Sequence, residues 1–125
     1  MSYKPTGYTS VAPYLTVNGA QATIDFLVAV FGAVPLRIHG GDDRIQHGEV
    51  RIDDTVVMLT DGVEGWPAIA SNVHVYVKDV DATFQLAIAH GATSIQEPMT
   101  KGDEDKRGGF RDAGGTTWWV AQQVE

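Results

Sequence analysis

Residues 17–33, VNGAQATIDFLVAVFGA, are written a second time as residues 77–92, VKDVDATFQLAIAHGA. Val17 returns as Val77, Ala22 and Thr23 as Ala82 and Thr83, Ile24 as Phe84 and Val28 as Ile88, all at an offset of sixty. Gly32 and Ala33 return one residue early as Gly91 and Ala92, and the offset is restored where Gly48 and Arg51 match Gly108 and Arg111. An ordered series held over this length marks a duplicated unit, and each copy can be read locally.

In the first copy, Tyr14 to Val17 alternates as a strand, and Asn18 or Gly19 opens a helix whose apolar residues Ile24, Leu27, Val28 and Phe31 recur at helical spacing. Gly32 ends it as a left-handed cap. Strands are expected at 34–38, 45–52 and 55–60, with Asp53-Asp54 as the turn between the last two. The second copy keeps this order: strand 73–77, a helix capped by Asp79 and closed at Gly91, then strands near 93–96, 109–112 and 117–122. The fold class is therefore α+β, two tandem βαβββ modules in a single domain over 1–125. Module one covers about 11–61, the linker 62–71 and module two about 72–123. The stretch TKGDEDKR, 100–107, reads as a charged, mobile loop.

Composition removes several chemistries. There is no cysteine, so disulfides, thiolate metal sites and thiol nucleophiles are excluded. A net charge of −7, with basic residues scattered apart from Lys101, Lys106, Arg107 and Arg111, argues against nucleic acid and anionic lipid as partners. The N-terminus MSYKPTGYTS lacks the apolar stretch of an export signal and no segment is long and apolar enough to span a bilayer, so a cytoplasmic protein is expected.

The segments APYLTVNG, IDFLVAVFGA, RIQHGEVRIDDTVVMLTDG, VHVYVKDVDATF and GGFRDAGGTTWWVA resemble the glyoxalase, bleomycin resistance and extradiol dioxygenase family, the vicinal oxygen chelate family, and within it the PhnB-like subgroup. The resemblance covers nearly the whole chain and implies two modules around an open-barrel cavity, paired across a homodimer. It further implies metal ligands at Ala12, Met58 (or Leu59), Asn72 and Trp119, none of which is a His, Glu or Asp. A metal-free binding protein is therefore expected, with no cofactor, sequestering a small aromatic or peptide-like molecule such as an antibiotic. Two departures from the subgroup, Lys101 in place of an aromatic residue and the turn 112–116 (DAGGT), lie near the predicted cavity mouth.

Strand alternation assigns the candidate ligand contacts. Tyr14, Met58, His74, Tyr76 and Trp119 share the cavity face, while Leu15, Val17, Val57, Leu59, Val73, Val75, Trp118 and Val120 face the helices. On the third strands His47, Glu49 and Arg51 share a face, as do Arg107, Gly109 and Arg111, and Trp66 in the linker is placed as a lid. Several roles are open to these groups. His47 and Glu49 can form a structural network, alone or through Glu49 with Arg111, or contact the ligand directly. With His74 they can instead hold a displaced metal, which would make the chain a metal-dependent lyase or transferase. Arg107 and Arg111 either make structural pairs or receive a ligand anion.

Overall fold

A computed structural model describes residues 2–41, 43–102 and 104–124. Each half builds one four-stranded sheet and one helix. Module one contains β1 (Tyr14–Val17), α1 (Ala20–Phe31), β2 (Val34–Gly40), β3 (Ile45–Ile52) and β4 (Thr55–Asp61), in the sheet order β1-β4-β3-β2. Module two contains β5 (Ser71–Tyr76), α2 (Val80–Ala89), β6 (Thr93–Thr100), β7 (Asp105–Arg111) and β8 (Thr116–Gln123), in the order β5-β8-β7-β6. The first strand of each module runs parallel to its last, and the other pairs are antiparallel, so the duplication in sequence is a duplication of topology.

The two helices are started by different means. Gly19 precedes α1 in the left-handed region with φ 77° and offers no side-chain cap. The free N–H of Ala20 donates instead to Asp61 Oδ1 at 2.7 Å, and the other oxygen of Asp61 accepts from Ile45 N at 2.8 Å. In α2 the expected cap holds, Asp79 accepting from Ala82 N at 3.1 Å, and Gln122 at the end of β8 accepts from Val80 N at 2.7 Å. Gly32 caps α1 with φ 67°, while α2 stops at Ala89 with His90 as its cap and Gly91 following at φ 96°.

α1 packs on β2, β3 and β4, α2 packs on β6, β7 and β8, and the helices touch each other. One apolar cluster runs through both modules, from Leu15, Ile24 and Leu27 to Phe84, Phe110 and Trp118. Phe110 on β7 is central, lying edge-on to Phe26 of α1 and Phe84 of α2, and stacked with Phe31 of α1. The helix-facing residues expected from alternation are buried or half-buried as assigned, and the opposite face of each sheet carries no helix.

The charged stretch departs from expectation. β6 continues to Thr100 and β7 begins at Asp105, so much of 100–107 is hairpin strand; Asp103 lies outside the described residues. Asp105 is buried because Tyr76 donates to its Oδ2 at 2.7 Å and Arg107 reaches the same oxygen at 3.2 Å, which satisfies a carboxylate at a place that reads as solvent-exposed loop. Ser71, taken with the linker, opens β5.

Candidate functional site

The helix-free face of module one is a chain of hydrogen-bonding groups. Glu49 on β3 is only 3% exposed, and both its oxygens are engaged: Oε1 accepts from Tyr8 Oη at 2.5 Å, and Oε2 lies 2.7 Å from His47 Nε2. The other ring nitrogen of His47 lies 3.4 Å from Tyr14 Oη, at the long end of hydrogen-bonding distance. Arg37 of β2 sits over the Tyr8 ring at 5.1 Å, and His39 stacks near His47 at 6.5 Å between centroids. Burial pushes the Glu49 carboxyl up, but the hydrogen bonds from Tyr8 and His47 and the nearby positive charge outweigh it and hold the group below the ordinary carboxylate range. The same bond pushes the Tyr8 phenol above its usual value.

The helix-free face of module two is built differently, because Gly109 stands opposite Trp119 where module one has Glu49 opposite Met58. A Cβ at 109 would lie 2.6 Å from Cε3 and Cζ3 of Trp119, so the benzo half of the indole is laid across the bare backbone of β7. Asn72 Oδ1 accepts the indole N–H at 3.0 Å and fixes the ring's other end. Trp118, one residue earlier, is fully buried and donates to Asp112 Oδ2 at 2.8 Å. One tryptophan is thus core and its neighbour a half-buried platform, the division that alternation predicts.

Around the platform, His74 stands edge-on to Tyr76 at 4.9 Å, and Tyr76 is 63% exposed with its hydroxyl on Asp105. The Asp105 bond raises the Tyr76 phenol above the ordinary tyrosine range. Arg107 is paired with Asp105. Arg111 is exposed at the end of β7, and the groups on the Glu49 oxygens are Tyr8 and His47 where a Glu49–Arg111 pair was an alternative. Trp66 is 65% exposed in the linker, where its backbone bridges to Val63. Tyr8 was not a candidate in the sequence. It precedes module one in a stretch with no periodicity, and only its aromatic character singles it out.

Within one chain, His47 and Glu49 come together and His74 does not join them, since it belongs to the other sheet and packs on Tyr76. Among the described residues no three His, Asp or Glu side chains are grouped closely enough to hold a metal ion. At the positions where the family resemblance puts metal ligands, the groups are a methyl, a thioether, an amide oxygen already bonded to the indole, and that indole. This donor set does not fit a divalent cation. Two clefts of about 320 and 530 Å³ lie along the seam between the β3–β4 turn and β5, and of the predicted residues only His74 and Tyr76 line them.

The model of the glyoxalase/bleomycin resistance protein/dioxygenase superfamily matches residues 8–120, and the chain belongs to that superfamily. An uncharacterized protein of Mycobacterium bovis is 34% identical, with 92% of this chain and 84% of the relative aligned. Among solved structures, TioX from Micromonospora sp. ML1 superposes with a TM-score of 0.78 at 24% identity, covering 93% of this chain and 99% of that one. TnmS3 from Streptomyces sp. CB03234, described as an antibiotic binding protein, gives 0.72 at 18% identity, covering 94% and 100%. These likenesses establish the fold. No helix among the described residues is long and apolar enough to cross a membrane.

Proposed function

We propose that this chain is a cytoplasmic, metal-free binding protein that sequesters a flat aromatic small molecule, of the antibiotic or natural-product kind, in the cleft of a homodimer. The observation that carries the reading is Trp119, laid over Gly109, tethered through Asn72 and half open to solvent, at a position where the family resemblance implies a metal ligand. A ring held in this way is pre-organised to stack on a planar guest, and each stacked pair adds about 0.5–1.5 kcal/mol beyond burial.

The two helix-free faces supply complementary halves of a pocket, an aromatic platform from module two and hydrogen-bonding groups from module one. They lie on separate sheets of one chain, which favours a twofold assembly in which module one of one copy faces module two of the other. A neighbour of the same fold is described as an antibiotic binding protein, which supports the ligand class.

Native mass spectrometry of the freshly purified protein should show a dimer retaining an aromatic compound. Trp119→Ala should weaken its binding by about tenfold, and Gly109→Ala, which pushes the indole off the sheet, should act in the same direction. A tryptophan fluorescence titration unchanged by ligand would remove Trp119 from the site. Stoichiometric metal in protein purified without chelator, lost on His47→Ala, would favour a lyase or transferase instead.

A further inference from the structure

We propose that His47 and Glu49 form an acid–base dyad that selects aromatic ligands bearing an ionisable hydroxyl, a phenol or enol, and holds them as the oxyanion. The inference rests on the reading of this surface as an aromatic-ligand site and specifies which aromatic ligands it takes.

Glu49 is buried, and its Oε2 is 2.7 Å from His47 Nε2 while Tyr8 occupies Oε1. Held ionised by these bonds, the carboxylate can only accept, so Nε2 of His47 must carry its proton and donate. In the neutral ring, Nδ1 is then the lone-pair acceptor. It points toward Tyr14 Oη at 3.4 Å, a contact long enough for a ligand hydroxyl to replace. The His47 side chain is 30% exposed and Tyr14 half-exposed, so the acceptor is reachable from the helix-free face. A buried carboxylate behind an imidazole is the arrangement that fixes a tautomer and stabilises the imidazolium formed when the ring takes a proton.

The step balances without a co-reactant. The ligand O–H bond breaks, its proton moves to Nδ1, and an imidazolium with hydrogen on both nitrogens lies between the Glu49 carboxylate and the ligand oxyanion. Release returns the proton. The charged and titratable groups around His47 are Tyr8 from the N-terminal segment, Tyr14 of β1, Arg37 and His39 of β2, and Glu49 and Arg51 of β3. From β4 come Met58 and Thr60, which do not titrate. Arg37 adds positive potential to the Glu49 end of the dyad. A ligand lacking the hydroxyl offers Nδ1 no proton and leaves it only the long contact with Tyr14 Oη, which is the basis of discrimination.

The test uses the full chain with umbelliferone, a flat bicyclic phenol whose absorption distinguishes phenol from phenolate, and its methyl ether. At a pH about one unit below the free phenol's pKa, bound umbelliferone should show the phenolate spectrum and bind about tenfold more tightly than the ether. In His47→Phe the two should bind alike, and in Glu49→Gln the bound spectrum should move back toward phenol. A phenol spectrum on the wild-type protein, or equal affinities with tryptophan fluorescence responding to both, overturns the dyad and leaves the aromatic site standing. No response to either compound overturns both readings. Nitrogen NMR of the ligand-free wild-type imidazoles gives an independent readout: the Nε2–H tautomer is expected at His47, and the Nδ1–H tautomer would overturn the dyad whether or not any variant folds.

Discussion

Tyr8 and Tyr76 each donate their phenolic hydrogen to a buried carboxylate, Glu49 in one module and Asp105 in the other. In both, ionisation would set a phenolate against a carboxylate, so the folded protein holds each phenol neutral above the ordinary tyrosine range. The proton is bound more tightly in the folded than in the unfolded chain. The stability linked to these bonds is therefore full below the ordinary tyrosine pKa and is lost as pH climbs through the raised values. Alkaline difference absorption should show late-ionising tyrosines, one lost in Tyr8→Phe and another in Tyr76→Phe; a curve unchanged by either substitution would mean the bond is not held in solution. At this scale Glu49, His47, Trp119 and Tyr76 were legible in the sequence, because alternation fixes which way a strand residue faces. Tyr8 was not, because an irregular segment has no period to place it on a particular carboxylate 41 positions away.

The helices show how far one element depends on another. α1 carries the right apolar spacing, yet its start is not encoded in its own first turn, since Gly19 has no side chain to cap with and Asp61 at the end of β4 does so instead. The same carboxylate anchors the first residue of β3 through Ile45 N. Asp61→Ala should therefore cost about 1–3 kcal/mol, more than the ~1 kcal/mol expected for Asp79→Ala, where one cap bond to α2 is lost. Urea denaturation of the two variants checks the order; equal losses would mean that the second bond contributes nothing. Helix extents and the β3–β4 hairpin were readable because period and turn residues agree over those stretches. The β6–β7 hairpin was read too short for a physical reason: its register shifts between Ser94 and Gln96 and again between Gln96 and Met99, which breaks strand alternation, and its buried Asp105 looks like a loop residue until Tyr76 and Arg107 are placed beside it.

For the whole molecule, the repeat predicts two like modules but not how they are joined. The join is made where the copies differ. Val50 of module one corresponds to Phe110 of module two, both fully buried, and the larger ring reaches Phe26 and Phe31 of the other module as well as Phe84 of its own. Gly114 completes the seam: it is buried, its carbonyl accepts from Asn18 N at 3.3 Å, and a Cβ there would come within 2.6 Å of Thr23 Oγ1 on α1. A core shared in this way should unfold as one unit. Phe110→Ala should destabilise by about 3–5 kcal/mol, and Phe110→Leu by less, because leucine refills part of the space. The decisive measurement follows urea unfolding by far-UV circular dichroism, which reports both modules, and by tryptophan fluorescence, to which Trp118 and Trp119 of β8 contribute. Coincident transitions that move together in Phe110→Ala fit a single core. A fluorescence transition that moves alone, with dichroism from module one persisting beyond it, would mean that the modules fold independently and that the seam does not hold the two binding faces in a fixed relation.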